Sequence, residues 1–152
     1  MFVCHGNICR SPMAEFIMKE LVHKAFAEDE FHVESSATSR EEIGNPIYSP
    51  AAYTLSLHGI GSDGHAARQF TIHDYNSFDM VVVMEEYNIG NLMRIIGSDC
   101  DNKVWKLLDF IDEEPCRRQG KDISDPWYHG NFDKTYKEIS AGCKALMRYL
   151  GY

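Results

Sequence analysis

Apolar and polar positions change their period several times along the chain. Met1-Phe2-Val3-Cys4 is an apolar run that stops at Gly6-Asn7, which predicts a short strand ending in a turn. From Pro12 the spacing becomes helical, with Met13, Phe16, Ile17 and Leu21 on one stripe. Ser11-Pro12 predicts the start of that helix, serine as N-cap and proline as its first residue. Residues 31–35 (Phe-His-Val-Glu-Ser) read as a second short strand. A loop rich in Ser, Gly and Pro runs on to Pro50, and a helix follows to about His58-Gly59. Phe78 to Met84 is the clearest buried strand, with a helix over 85–96 behind it. Lys103 to Leu108 predicts a fourth strand and 109–130 a polar loop. Phe132, Tyr136, Ile139, Cys143, Leu146, Met147 and Leu150 then mark a terminal helix. Strands alternating with helices predict βαβ units and a parallel sheet, an α/β fold. No repeat, low-complexity tract or linker divides residues 1–152, so a single domain is expected.

Composition narrows the function classes. The chain carries 15 Lys and Arg against 23 Asp and Glu, a formal charge of −8. With no basic cluster, it lacks the footprint of a nucleic-acid-binding surface. The longest apolar run, Met80 to Met84, is far short of the roughly 18 residues that read as a membrane span. Residues 1–12 hold Cys, His, Asn and Arg, so no signal-peptide apolar region is read there. Five cysteines stand at positions 4, 9, 100, 116 and 143. An odd count without a secretory signal reads as reduced thiols and a cytoplasmic protein. No CxxC occurs and the histidines are scattered, so zinc-site spacing is not seen.

The segment that carries chemistry is Cys4-His5-Gly6-Asn7-Ile8-Cys9-Arg10-Ser11-Pro12. A strand stops, a short loop turns and a helix begins. Successive N–H groups of such a loop point inward and, with the positive end of the helix, form an anion cradle. Gly6 is expected to permit the tight turn, and Asn7 tolerates a left-handed backbone. Arg10 supplies a planar fork suited to two phosphate oxygens. Cys4 stands at the mouth of the loop, where the same dipoles favour a thiolate over a thiol. Ser11 is placed to donate a hydrogen bond to that sulfur.

Those residues, CHGNICRSP, resemble the signature of the low-molecular-weight protein tyrosine phosphatases. Further segments match in order: Ser35-Ser36-Ala37-Thr38-Ser39, Gly44-Asn45-Pro46, His65-Ala66-Ala67-Arg68-Gln69, Phe78-Asp79 and Asp125-Pro126-Trp127-Tyr128. The resemblance covers essentially the whole chain. It implies a four-stranded parallel sheet with helices on both faces, and hydrolysis of phosphotyrosine proteins or aryl phosphates through a phosphocysteine. Inorganic phosphate is then the product, and neither a metal nor a cofactor is needed. It casts Cys4 as nucleophile, Arg10 as phosphate ligand, and Asp125 as the acid that protonates the leaving oxygen. Residues Cys4, His5, Gly6, Asn7, Ile8, Cys9, Arg10 and Ser11 become the phosphate-binding loop. Asn7, Ser11, Ser35 and His65 become the polar network that supports it, and Trp127 and Tyr128 the wall of the pocket. It also implies a reversible off-state in which Cys9 closes a disulfide with oxidised Cys4.

Several positions depart from the family pattern. The family usually has a tyrosine where Trp127 stands and a hydrophobic residue where His5 stands. Glu41 and Glu42 fall where the family varies the pocket rim. Members normally carry several residues before Phe-Val-Cys, so the expectation is either a native start upstream of Met1 or a truncated first strand with a less stable native state. Three other readings share the loop or the fold. An arsenate reductase needs a close downstream cysteine pair that Cys100, Cys116 and Cys143 do not form. An arginine phosphatase has threonine where Ile8 stands. A non-catalytic phosphotyrosine-binding module has no use for Cys4, Arg10, Ser11 and Asp125 together.

Overall fold

A computed structural model describes residues 1–152. Its four strands are β1 (Phe2–Cys4), β2 (Ser35–Ala37), β3 (Val81–Val83) and β4 (Val104–Lys106), all parallel, in the order β2-β1-β3-β4. The helices are α1 (Arg10–Lys24), α2 (Ser49–Leu57), α3 (Ile72–Ser77), α4 (Glu86–Ile96), α5 (Pro126–His129) and α6 (Phe132–Tyr149). None is long and apolar enough to cross a membrane.

Strand side chains alternate between two cores, as the pleat requires. Phe2, Cys4, Val82 and Met84 pack with Met13 and Ile17 of α1, Leu55 of α2, and Ile139 and Leu146 of α6. Val3, Val81, Val83 and Val104 face the other way, against Tyr75 of α3 and Ile89 and Leu92 of α4. Helices therefore cover both faces, and Val81-Val82-Val83 is buried on each side, which explains its continuous apolar run. Each such valine removed from water contributes about 1.5–3 kcal/mol before conformational entropy is set against it.

Several boundaries differ from the sequence expectation. The second strand is Ser35–Ala37 rather than 31–35. Phe31 and Val33 pack at its entry against the α1–α6 core, and just before Ser35 the Glu34 carbonyl accepts the Phe2 N–H of β1 at 2.9 Å. Helix α1 starts at Arg10 with Cys9 as N-cap, so Ser11 is not the cap. The fourth strand ends at Lys106 and tightens into a 3₁₀ turn over Leu107–Ile111, where Asp109 accepts the Lys106 N–H. Helix α3 lies in a stretch where none was expected, started by a capping box between Thr71 and Asp74. The expected polar loop 109–130 holds that 3₁₀ turn and α5. The first strand has three residues, as does every other, and pairs on both sides, Phe2 with Ser35 and with Val82.

Candidate active site

The carboxyl ends of β1 and β3 open into a cleft of about 490 Å³, lined by the loop after Cys4 and roofed by the segment around Asp125. This is where α/β sheets place their ligands.

Cys4 ends β1 with its sulfur 3.0 Å from Ser11 Oγ and 3.3 Å from the Asn7 N–H, which donates to it. The left-handed residue of the turn is Asn7, φ 58°, and not Gly6. A Cβ at Gly6 would meet Glu42 Cγ at an ordinary 3.4 Å, so the turn itself makes no demand for glycine there. A non-glycine residue in that conformation costs of order 1–3 kcal/mol and persists only when its surroundings fix it. Here they do. The Asn7 Nδ2 group donates to Ser11 Oγ and Ser35 Oγ, both at 2.9 Å, and Oδ1 accepts the Arg68 N–H at 3.1 Å. The Asn7 carbonyl accepts from His65 Nε2 at 2.7 Å. Because Ser11 Oγ already accepts from Asn7, its own hydrogen goes to the sulfur or to the Ser36 carbonyl, 3.3 Å away.

Arg10 opens α1 and is 2% exposed. Its Nη1 donates to the Ile123 carbonyl at 3.2 Å, and Nη2 to Glu85 at 3.1 Å and to Asp125 Oδ2 at 2.9 Å. Burial works against its charge, yet the Glu85 hydrogen bond and the nearness of Cys4 and Asp125 hold the guanidinium above its ordinary value. Asp125 caps α5, with Oδ1 accepting the Trp127 N–H at 3.0 Å, so its carboxyl spans Arg10 and the cleft. Ile123 donates to the Met84 carbonyl at 2.8 Å, which ties this segment to the end of β3. Burial pushes the Cys9 thiol up to about 12, with Cys4 adding to the shift.

The rim is aromatic and acidic. Trp127 and Tyr128 are 56% and 86% exposed at its edge, and Trp127 leans on Tyr48 at 5.1 Å between ring centroids. His5 Nε2 lies 3.0 Å from a Glu41 carboxylate oxygen. Glu41 and Glu42 line the cleft as the sequence suggested. Every sequence-derived loop and support residue therefore converges here, while Cys100 and Cys116 are exposed elsewhere and Cys143 is buried beside Ala14. No group of three His, Cys, Asp or Glu side chains stands close enough to hold a metal ion. Sequence reasoning missed Glu85, Arg10's second carboxylate partner. The signal was available, since Glu85 stands just past the end of β3 on the ligand side of the sheet.

Residues 1–151 match the family model described as low molecular weight phosphotyrosine protein phosphatase. The chain is 36% identical over 147 residues to the low molecular weight protein-tyrosine-phosphatase YfkJ of Bacillus subtilis, covering 97% of this chain and 92% of that protein. It is 38% identical over 152 residues to the low molecular weight phosphotyrosine protein phosphatase of Gallus gallus, with the same coverage. The crystal structure of YfkJ superposes with a TM-score of 0.89 over 98% of this chain and 91% of that one. That of the low molecular weight protein tyrosine phosphatase SP-PTP from Streptococcus pyogenes, 38% identical, does so at 0.84 over 99% and 91%.

Proposed function

The chain belongs to the low molecular weight protein tyrosine phosphatases, and from that premise we propose the role of each side chain around the cleft. It is a hydrolase that cleaves phosphotyrosine through a phosphocysteine intermediate. Residues 1–152 form its phosphatase domain, and phosphotyrosine proteins or aryl phosphates are its substrates.

The phosphoryl oxygens sit among the N–H groups of residues 5–10 and the Arg10 fork, taking Nη2 over from the Asp125 carboxylate. The Cys4 thiolate attacks phosphorus opposite the tyrosyl oxygen. As the S–P bond forms and the P–O bond breaks, Asp125 delivers its proton to the departing oxygen, a step typically worth 10²–10⁴ in rate. The Asp125 carboxylate then takes a proton from water, the water oxygen bonds to phosphorus, and the S–P bond breaks. Inorganic phosphate leaves, and Cys4 returns as a thiolate held by Ser11 and the Asn7 N–H. Asn7, Ser35 and His65 keep the loop in shape, and Trp127 and Tyr128 flank the substrate ring. No step calls for a metal or cofactor.

One observation carries this reading. Cys4 beside Ser11 at 3.0 Å and Arg10 beside Asp125 at 2.9 Å line one cleft, so nucleophile, anion ligand and acid face a single phosphoryl group. The odd cysteine count supports a cytoplasmic location. A Cys4–Cys9 disulfide as a reversible off-state belongs to the same proposal. The deciding experiment compares wild type with Cys4→Ser on para-nitrophenyl phosphate. Turnover should fall by at least about a thousandfold, while inorganic phosphate or vanadate still binds. Substantial residual turnover in a clean preparation would falsify the nucleophile assignment.

A further inference from the structure

Asp125 acts only if its carboxyl is held over the cleft, and the residue before it is gripped by one helix through every polar atom it has. The Ser124 N–H donates to Glu138 Oε2 at 3.0 Å, and its hydroxyl to Glu138 Oε1 at 3.3 Å. Its carbonyl accepts from Thr135 Oγ1 at 3.2 Å. Thr135 is fully buried and Glu138 three-quarters buried, one turn apart on α6. One residue earlier, Ile123 is fixed to the sheet by Met84 and to Arg10 through its carbonyl. The chain thus enters Asp125 from two consecutive residues whose backbone groups are all engaged, one on the sheet and Arg10, one on α6.

Glu138 matters most in that grip. A carboxylate accepting two donors from one residue fixes the peptide orientation as well as its place, and hydrogen bonds to a charged group are about twice as strong as neutral ones. The next peptide leads directly into the Asp125 Cα, so a rotation at Ser124 swings the carboxyl away from the leaving oxygen. Misplacement of about 1 Å at a reacting group costs up to about a hundredfold.

We propose that Glu138, assisted by Thr135, is a positioning residue for the general acid, holding Ser124 so that Asp125 meets the departing aryl oxygen. The proposal rests on Asp125 being that acid, and its test separates the two. The quantity to measure is kcat/KM, which reports the step in which the aryl group departs, for aryl phosphates from phenyl phosphate to 2,4-dinitrophenyl phosphate. The enzymes are wild type, Asp125→Ala, Glu138→Gln, Ser124→Ala and the double variant Asp125→Ala/Glu138→Gln. Glu138→Gln should lose about tenfold on phenyl phosphate and less than about twofold on the dinitrophenyl ester, a smaller copy of the Asp125→Ala pattern. Ser124→Ala, which keeps the N–H bond, should show the same leaving-group dependence at lower amplitude. The double variant should be no slower than Asp125→Ala, because an absent acid cannot be misplaced.

An equal loss of Glu138→Gln on every ester, or a double variant slower than Asp125→Ala, overturns the positioning role while leaving the acid assignment intact. If Asp125→Ala itself loses rate equally on all esters, the acid assignment fails and the positioning role falls with it. Should Glu138→Gln fold poorly, Ser124→Ala decides the matter by the same criterion.

Discussion

Cys9 and Cys4 share one loop but live under opposite conditions. Cys4 faces the N–H of Asn7 and the hydroxyl of Ser11, whereas burial pushes the Cys9 thiol up to about 12. Near neutral pH Cys9 therefore stays a thiol and does not compete as a nucleophile. In the proposed off-state, peroxide entering the cleft oxidises Cys4, the loop's nucleophilic sulfur, first, converting the thiol to a sulfenic acid with release of water. Condensation with the Cys9 thiol then forms the S–S bond and releases a second water, and a dithiol reverses it. Wild type inactivated by peroxide should regain most of its activity with dithiothreitol and show a Cys4–Cys9 linkage by peptide mass mapping. Cys9→Ser should inactivate as readily and recover only a small fraction. Recovery as complete as that of wild type would make Cys9 a packing residue.

Among the elements, α3 separates stability from catalysis. Its capping box joins Thr71 and Asp74, and Asp74 also takes both guanidinium nitrogens of Arg68. The Arg68 N–H in turn holds Asn7, yet Thr71 itself touches none of the loop. Thr71→Ala should lower unfolding stability by about 0.5–2 kcal/mol, read from urea titration, and leave kcat within about twofold. A large kcat loss at unchanged stability would mean that α3 shapes the loop directly. This helix also marks where the sequence was opaque, because six residues with one cap give too short a pattern to show a period. The strand at Ser35–Ala37 was hidden for a different reason. Its serines are polar because Ser35 serves Asn7 and Ser36 faces Met1, so function erased the apolar signal while Phe31 and Val33 imitated it. The Val81–Val83 strand and the Cys4–Ser11 loop, by contrast, state their roles locally and were legible. Glu138 was not, since its partner Ser124 lies 14 residues away and nothing local links them.

For the whole molecule, acidity acts through carboxylates folded into donor-rich sites. Burial by itself would raise Asp99, but the Tyr75 hydroxyl, the N–H groups of Lys103 and Val104, and Arg118 outweigh it and lower its pKa. Asp74 follows the same balance, with Arg68 and the Thr71 N–H prevailing over burial. Groups lowered in the native state stabilise it above the ordinary carboxylate value of about 4, and that stability is lost as pH falls through their native values. The contribution of these two carboxylates to the unfolding free energy should therefore be steady near neutrality and decline as pH drops below about 4. Asp99→Asn should be less stable at neutral pH and show a shallower decline. Equal slopes for the two proteins would remove Asp99 from this account.

The position of β1 has a kinetic consequence. It is central in the sheet, yet it precedes both strands that pair with it, Ser35–Ala37 and Val81–Val83. Neither closure is local, so the ordering entropy of long chain segments must be met before either ladder forms, which slows folding. During synthesis the segment ending in Cys4 waits, with one edge unpaired, until β3 has been made. The cradle depends on that edge being filled, because Arg10 bonds to Glu85 just beyond β3 and to the Ile123 carbonyl further along the chain. With Cys4 as the proposed nucleophile, its reactivity is thereby timed to the closing of the sheet, and a nascent or partly folded chain carries that thiol without the Arg10 contacts that complete the cradle.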